Sequence, residues 1–168
     1  ELEADLEFKP WFLFVDYSSD TFVTQPGVDY IVLPANFLLQ IEDHFLYVKE
    51  PEATEEEYPW TPVRSVTMGK ISAIISIGGL PSFCCIQGNR LYIRPRPDKA
   101  YMLRLLYYRE DIPLRGDYTN LWLTYARNWL IAATAAKVAQ DYLQDDDAFA
   151  RQQSAALKAR KLLWMESE

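Results

Sequence analysis

The sequence predicts an α+β protein, a helical bundle carrying a β-rich antiparallel lobe in its middle. Three observations lead there. Residues 79–109 read as three strands joined by two turns. After Asp117 the apolar residues switch from alternation to three- and four-residue steps, the helical period. Asp145-Asp146-Asp147 then divides that helical region in two, which predicts a hairpin of helices. Such a hairpin cannot bury both of its faces alone, so it needs further helices to complete a bundle. The implied organisation is a remnant of an N-terminal helix over 1–10, a β-rich lobe of seven or eight strands over 11–115, and a C-terminal helical hairpin over 116–168.

Leu2 and Leu6 stand four apart, as at the end of a helix that starts upstream, and Pro10 stops it. The chain opens at Glu1, so upstream residues are expected. Trp11-Phe12-Leu13-Phe14-Val15 is too short for a helix and predicts a buried strand. Thr21-Phe22-Val23-Thr24 and Tyr30-Ile31-Val32-Leu33 flank Gln25-Pro26-Gly27, which predicts a β-hairpin; Pro34-Ala35-Asn36 ends it. Residues 37–49 predict two strands around an acidic turn at Glu42-Asp43. Glu50, Glu52, Glu55, Glu56 and Glu57, with Pro51 and Pro59, predict a solvated acidic loop over 50–59. Ser65 suits the cap of a short helix over 66–76, although Ile71, Ile74, Ile75 and Ile77 equally suit a strand. Gly78-Gly79 ends that segment. Gly88-Asn89 and Pro97-Asp98 supply turn chemistry between the three strands that follow. Thr119 stands where an N-cap belongs. Leu121, Trp122, Tyr125, Trp129, Ala132, Ala133, Ala136, Ala139 and Leu143 mark one face of a helix of about seven turns. A second helix runs from Ala148 to about Met165, with Lys158, Arg160 and Lys161 toward its end.

Composition narrows the function classes. With 49% hydrophobic and 14% aromatic residues the chain can bury a core. No apolar run approaches the 18 residues or so of a membrane helix, and the acidic first ten residues are unlike a signal peptide. The net charge of −7 is unevenly placed: residues 1–60 carry 14 acidic and 2 basic side chains, residues 61–168 carry 10 and 15. This asymmetry reads either as two solvated faces or as head-to-tail pairing between neighbouring copies.

The vocabulary of catalysis is missing. His44 is the only histidine and stands in a strand pattern, away from any nucleophile motif. No phosphate loop, dinucleotide fingerprint or zinc spacing occurs, so no catalytic, cofactor or metal residues are assigned. Cys84 and Cys85 are adjacent, which disfavours a disulfide between them and favours packing roles. The acidic run lacks the glycine and alternating ligands of a calcium loop. Arg90, Arg94, Arg96, Lys99, Arg104 and Arg109 interleave with Tyr92, Tyr101, Tyr107 and Tyr108, a pattern able to stack on single-stranded nucleic acid. The parity of Arg90, Tyr92 and Arg94 against Leu91 and Ile93 is equally that of a half-exposed strand, and the chain as a whole is acidic.

The order of features carries a resemblance. Trp11-Phe12-Leu13 leads to Asp29-Tyr30-Ile31-Val32-Leu33-Pro34-Ala35-Asn36-Phe37, then Gly79-Leu80-Pro81. Gly88-Asn89-Arg90-Leu91-Tyr92-Ile93-Arg94-Pro95-Arg96-Pro97-Asp98 and Leu105-Leu106-Tyr107-Tyr108 follow, then Ile112-Pro113-Leu114 and Thr119-Asn120-Leu121-Trp122-Leu123 opening an alanine-rich helix. Over residues 11–166 the chain resembles the head-to-tail adaptor (tail accessory, head-completion) proteins of tailed bacteriophages. The resemblance implies a structural protein of the virion neck, made in the host cytoplasm. It implies a ring, usually of twelve copies, below the portal protein, extending the channel for double-stranded DNA without sequence-specific binding and docking the tail or nozzle. It implies no enzyme, cofactor or membrane partner. Lys158, Arg160, Lys161 and Trp164 then become candidates for a portal contact, and Glu52, Glu55, Glu56 and Glu57 for a channel- or tail-facing surface. The alternatives are another structural interaction module, or a virion-associated enzyme such as a peptidoglycan hydrolase.

Overall fold

In a computed structural model, the described residues are 10–41, 44–50, 60–74, 77–112 and 119–165, with backbone alone at 20–21 and 164–165. The expected N-terminal helix remnant before Pro10, the Glu42-Asp43 turn and residues 51–59 of the acidic loop lie outside them. Two compact units are present: a lobe spanning Val15–Arg109, and a second unit from the chain on either side of it. The fold is mixed α+β.

The lobe is one curled eight-stranded sheet, a half-barrel. Its strands are β1 Phe14–Val23, β2 Tyr30–Val32, β3 Phe37–Gln40, β4 Leu46–Lys49, β5 Thr61–Ser65, β6 Phe83–Gln87, β7 Arg90–Arg94 and β8 Met102–Arg109. Their spatial order is β1-β8-β4-β5-β6-β7-β2, with β3 paired to β8 beyond the end of β4. Alternation fills the inside: Leu46, Val48, Val63, Cys84, Leu91, Ile93, Leu103 and Leu105 are fully enclosed, with Phe45, Tyr101 and Tyr107. The parity expected for Leu91 and Ile93 holds.

Four expectations for this lobe need correction. Trp11–Leu13 is a 3-10 turn, and the first strand begins at Phe14. The flanks of Pro26-Gly27 do not form a hairpin, since β1 and β2 occupy opposite ends of the strand order. The link between β7 and β8 is likewise a crossover. Finally, the sheet is not wholly antiparallel: β5 and β6 pair in parallel, Arg64 opposite Phe83. That pairing requires a crossover, and α1 (Met68–Ala73) supplies it. Ser65 belongs to β5, and Thr67 occupies the cap position of α1. The Gly88-Asn89 turn is a true hairpin, with Gln87 opposite Arg90 and Gly88 at φ 60°.

The two crossovers explain the curl. Flat, β1 and β2 would stand six strand spacings apart, about 29 Å at 4.8 Å each. The seven Cα steps from Val23 to Tyr30 reach at most about 25 Å. The sheet must therefore bend until its ends approach, and residues 24–29 and 95–101 run together across the open side. Thr24 N–H donates to Tyr101 O (2.9 Å), Gly27 N–H to Pro97 O (2.8 Å), and Ile93 N–H to Asp29 O (2.9 Å). Thr24 is 1% exposed. Its hydroxyl accepts from Tyr101 N–H (2.9 Å) and donates to Lys99 O (3.0 Å). Tyr101 O–H donates to Asp98 Oδ1 at 2.6 Å. Burial, then that carboxylate, push the Tyr101 phenol up to about 12. Near the same end of β8, Arg104 forks onto Asp16 of β1, with Nε 2.8 Å from Oδ1 and Nη2 on Oδ2.

The second unit holds α2 (Leu121–Tyr125), α3 (Arg127–Val138), a widened π turn at Ala139–Leu143, and α4 (Asp146–Met165). The single helix of seven turns expected over 121–143 is thus broken, at Ala126 (φ −119°). Asn120, not Thr119, is the N-cap: its Oδ1 accepts from Leu123 N–H at 2.9 Å. Asp111 adds a second cap by accepting from Leu121 N–H at 2.7 Å. Gln144 ends the π turn in the left-handed region, and Asp145 caps α4 by accepting from Ala148 N–H. α3 and α4 pack on each other, and the start of α3 lies beside Ala159, Leu162 and Leu163 of α4, so the hairpin is antiparallel as expected. Trp122, Trp129, Ala132, Ala136 and Ala139 are buried along its seam. Phe12 stacks edge-on to Trp122 at 5.2 Å and Trp122 lies 5.5 Å from Trp129, so aromatic rings close the end where α2 meets Trp11–Leu13.

Candidate interaction surfaces

Among the described residues no cluster of His, Cys, Asp or Glu is arranged to hold a metal ion. Cys84 is fully buried, and desolvation, then the neighbouring Cys85, push its thiol up to about 12. A thiol so protonated is neither a nucleophile nor a ready ligand. No helix among the described residues is long and apolar enough to cross a membrane. What the molecule offers instead is surface.

The first surface is on the helical hairpin. Its buried seam uses small alanines, which lets α3 and α4 approach closely. Each helix also carries apolar side chains away from that seam. On α3 and the π turn these are Ile131 (57% exposed), Val138 and Tyr142 (81%), spaced seven and four apart on one stripe. On α4 they are Leu157 (60%) and Leu162 (64%). The α3 stripe is the candidate binding surface on this element, since contiguous exposed apolar residues are what partners cover. At the break between α2 and α3, an open cleft of about 400 Å³ is lined by Tyr125, Arg127, Trp129 and, from α4, Ala159, Leu162 and Leu163.

The C-terminal residues singled out from the sequence fall on this element. Lys158 and Lys161 are exposed and share a face by their three-residue spacing. Arg160 is half-buried, and four-residue spacing sets it on the face of the backbone position of Trp164, which Lys161 also borders by three-residue spacing. The four positions therefore spread around nearly half the girth of α4 rather than forming one row. No basic residue stands in its last turn, so the expected complement to the helix dipole sits one turn earlier. Of the candidate acidic residues, Glu52, Glu55, Glu56 and Glu57 lie outside the described residues.

The second surface is the outer side of the lobe, which sequence parity found only in part. Arg90, Tyr92 and Arg94 of β7 face outward, as expected. The register adds Tyr30 of β2 opposite Tyr92, and Phe83 of β6 between Arg94 and Arg64 of β5. The Arg90 guanidinium lies 4.4 Å over the Tyr30 ring. Arg94 reaches Asp29 at 2.8 Å and Arg96 reaches the same carboxylate at 4.0 Å. Lys99 pairs with Glu50 at 3.1 Å. Tyr30 and Asp29 were legible in the sequence as part of a strand motif, but only the β2–β7 pairing puts them beside these arginines.

The family comparison decides the class: the SU10 adaptor protein family matches residues 2–166, nearly the whole chain. The chain belongs to the SU10 adaptor protein family. It is a bacteriophage structural adaptor, placed in the head–tail region of the virion and working through contacts with other virion components. Membership points to a structural, non-enzymatic role. No curated protein matches the chain.

Proposed function

We propose that this adaptor forms a ring, of about twelve copies, below the portal protein at the virion neck, where it prolongs the DNA channel and docks the tail or nozzle. The observation that carries this reading is the helical hairpin with exposed apolar side chains beyond its own buried seam. A hairpin that has already buried Trp129, Ala132 and Ala136 still presents Ile131 and Val138 on one stripe of α3, and Leu157 and Leu162 on α4. In a ring these side chains are covered by neighbouring helices, completing a bundle to which residues 1–10 contribute the end of a further helix. The C-terminal turn with Lys158, Arg160, Lys161 and Trp164 meets the portal. The glutamates at 52, 55, 56 and 57 face the channel or the tail, where negative charge lets DNA slide past without adhering. DNA is therefore cargo, not a sequence-specific ligand.

The test is electron microscopy of the purified protein mixed with the portal protein of its own virion. A second ring stacked on the portal is the expected result. A chain that stays monomeric and never joins the portal overturns the reading. The free protein alone is not the decisive sample, because an adaptor of this kind can wait as a monomer until the portal gathers it.

A further inference from the structure

The break between α2 and α3 has no cause in local propensity. Ala126 turns the chain there at φ −119°, although alanine favours a helix and no glycine or proline stands between Leu121 and Val138. What the break produces is an open cleft of about 400 Å³ between the start of α3 and the later turns of α4. One wall is Tyr125. Its ring is stacked on Phe12 at 5.5 Å and meets Trp11 edge-on at 4.9 Å, so the wall is in place before anything binds. Trp129 lines the cleft from α3, and Ala159, Leu162 and Leu163 line it from α4. Tyr125 and Leu162 remain exposed. A preformed hollow with aromatic and branched walls is the shape that takes one inserted side chain.

The rim of this hollow carries one sign of charge. Arg127 lines it. Lys158 stands one turn before Leu162 on the same face of α4, and Lys161 follows three residues after Lys158. Over 121–138 and 148–165 the chain carries six basic side chains and no acidic one. The acids of the hairpin, Asp141, Asp145, Asp146 and Asp147, gather at its far end. Asp111, before α2, is engaged in capping Leu121. Helix stability accounts for Lys158 and Lys161, which lie toward the C-terminus of α4. It does not account for Arg127, which occupies the first turn of α3, where the helix dipole disfavours a cation. A cation set against its own helix beside an apolar hollow points to a partner.

We propose that this cleft is a socket for an apolar side chain flanked by carboxylates, carried on an acidic segment of the portal protein. The inference rests on the reading of this chain as a ring below the portal and names the chemistry of that contact. The apolar side chain fills the hollow between Tyr125, Trp129 and Leu162, and the carboxylates meet Arg127 and Lys158. Arginine offers a carboxylate a planar fork. The lysines add an attraction that steers the segment in and weakens with salt. The acidic far end of the hairpin repels the same segment, so the charge pattern also fixes which end docks. Each copy offers one socket, and a ring engages many of them at once.

The test is the affinity of the purified chain for the portal protein of its own virion, measured by biolayer interferometry. Leu162→Glu puts a carboxylate on the cleft wall, and Arg127→Glu reverses the charge of the rim. Each variant, shown folded by circular dichroism, is expected to weaken binding about tenfold or more. Arg151→Glu makes the same charge change about 16 Å along α4 from Leu162, beyond the screening length of about 10 Å at 0.1 M salt, and is expected to stay within about twofold of wild type. Benzoylphenylalanine in place of Leu162, photolysed in the assembled complex, is expected to cross-link to an acidic stretch of the portal protein. Cross-linking to this chain instead, within one copy or to a second, overturns the proposal. So does an Arg151→Glu loss as large as that of Arg127→Glu, since the attraction is then diffuse. So does a cleft variant that loses retention of double-stranded DNA with portal affinity intact, since the partner is then a phosphate backbone. Should Leu162→Glu not fold, Leu162→Ser is expected to weaken binding in the same direction. A wild-type chain that never binds the portal removes the ring reading and the socket with it, whereas wild-type binding untouched by the cleft variants removes only the socket.

Discussion

Thr24→Val is the substitution that most directly probes how the lobe is held closed. Valine keeps the shape of threonine and removes only the hydroxyl. In the structure that hydroxyl accepts from Tyr101 N–H at 2.9 Å and donates to Lys99 O at 3.0 Å. Thr24 is 1% exposed, so water cannot replace it. Each buried group left without a partner costs about 1–3 kcal/mol. Two groups, partly relaxed, give about 2–4 kcal/mol. The backbone bond from Thr24 N–H to Tyr101 O survives, which keeps the loss at the level of a loosened strap rather than an unfolded chain. Hydrogen exchange at the β8 amides reports the lobe by itself. At about 1.4 kcal/mol per factor of ten, those amides should exchange roughly 30- to 700-fold faster. Thr24→Ser keeps both bonds and should fall well short of that. Exchange in Thr24→Val within twofold of wild type would refute the idea that this hydroxyl fastens the two crossovers.

Trp122→Ala removes the ring lodged between Phe12 and Trp129 and should destabilise the helical unit by about 3–5 kcal/mol in thermal unfolding, whereas Leu162→Ala, on an exposed stripe, should stay within about 0.5 kcal/mol. The hydrogen bond from Arg104 holds the Asp16 carboxyl below the ordinary carboxylate range. Its stabilising contribution is therefore present above about pH 4 and is lost as pH falls through the depressed folded value; Asp16→Asn should remove that part of the acid sensitivity. Both partners are more than a third exposed, so the effect in a pH series of urea melts should be about 0.2–1 kcal/mol. Cys84 and Cys85 should resist thiol reagents in the native protein at pH 8 and both react on unfolding; labelling of Cys84 in the folded chain at the rate of a free thiol would contradict its burial.

Local chemistry made some of this architecture legible. The alternation of Leu91 and Ile93 against Arg90, Tyr92 and Arg94 fixed which side of β7 is core. Gly88-Asn89 fixed the one tight hairpin in its region. The alanine steps from Ala132 to Ala139 fixed the seam of the helical pair, and Asp145 marked the start of α4. Pairing between distant strands was not legible. Pro26-Gly27 and Pro97-Asp98 have the same composition whether they reverse a strand or carry the chain across an open half-barrel; only the order β1-β8-β4-β5-β6-β7-β2 separates the two. The parallel β5–β6 pair was hidden for a similar reason, because α1 is under two turns long and runs into the β-branched Ile74-Ile75. The break at Ala126 leaves no mark in composition, since alanine favours the helix it interrupts. The candidate surfaces followed the same rule. Lys158, Lys161 and the Arg90–Arg94 stripe could be named from spacing, while the place of Asp29 and Tyr30 beside those arginines came only from cross-strand register. The family, carried by the order of motifs, was the most legible feature of all, and the match over residues 2–166 confirms it.

The central claim is that these chains work as a closed collar at the junction of head and tail. Cryo-electron microscopy of the intact particle tests it most directly. The claim predicts, immediately below the portal, a ring of density in which each copy accommodates one curled β-lobe and one helical hairpin around an open channel. A neck in which this chain is missing, or in which it sits as isolated copies elsewhere on the particle, would contradict it.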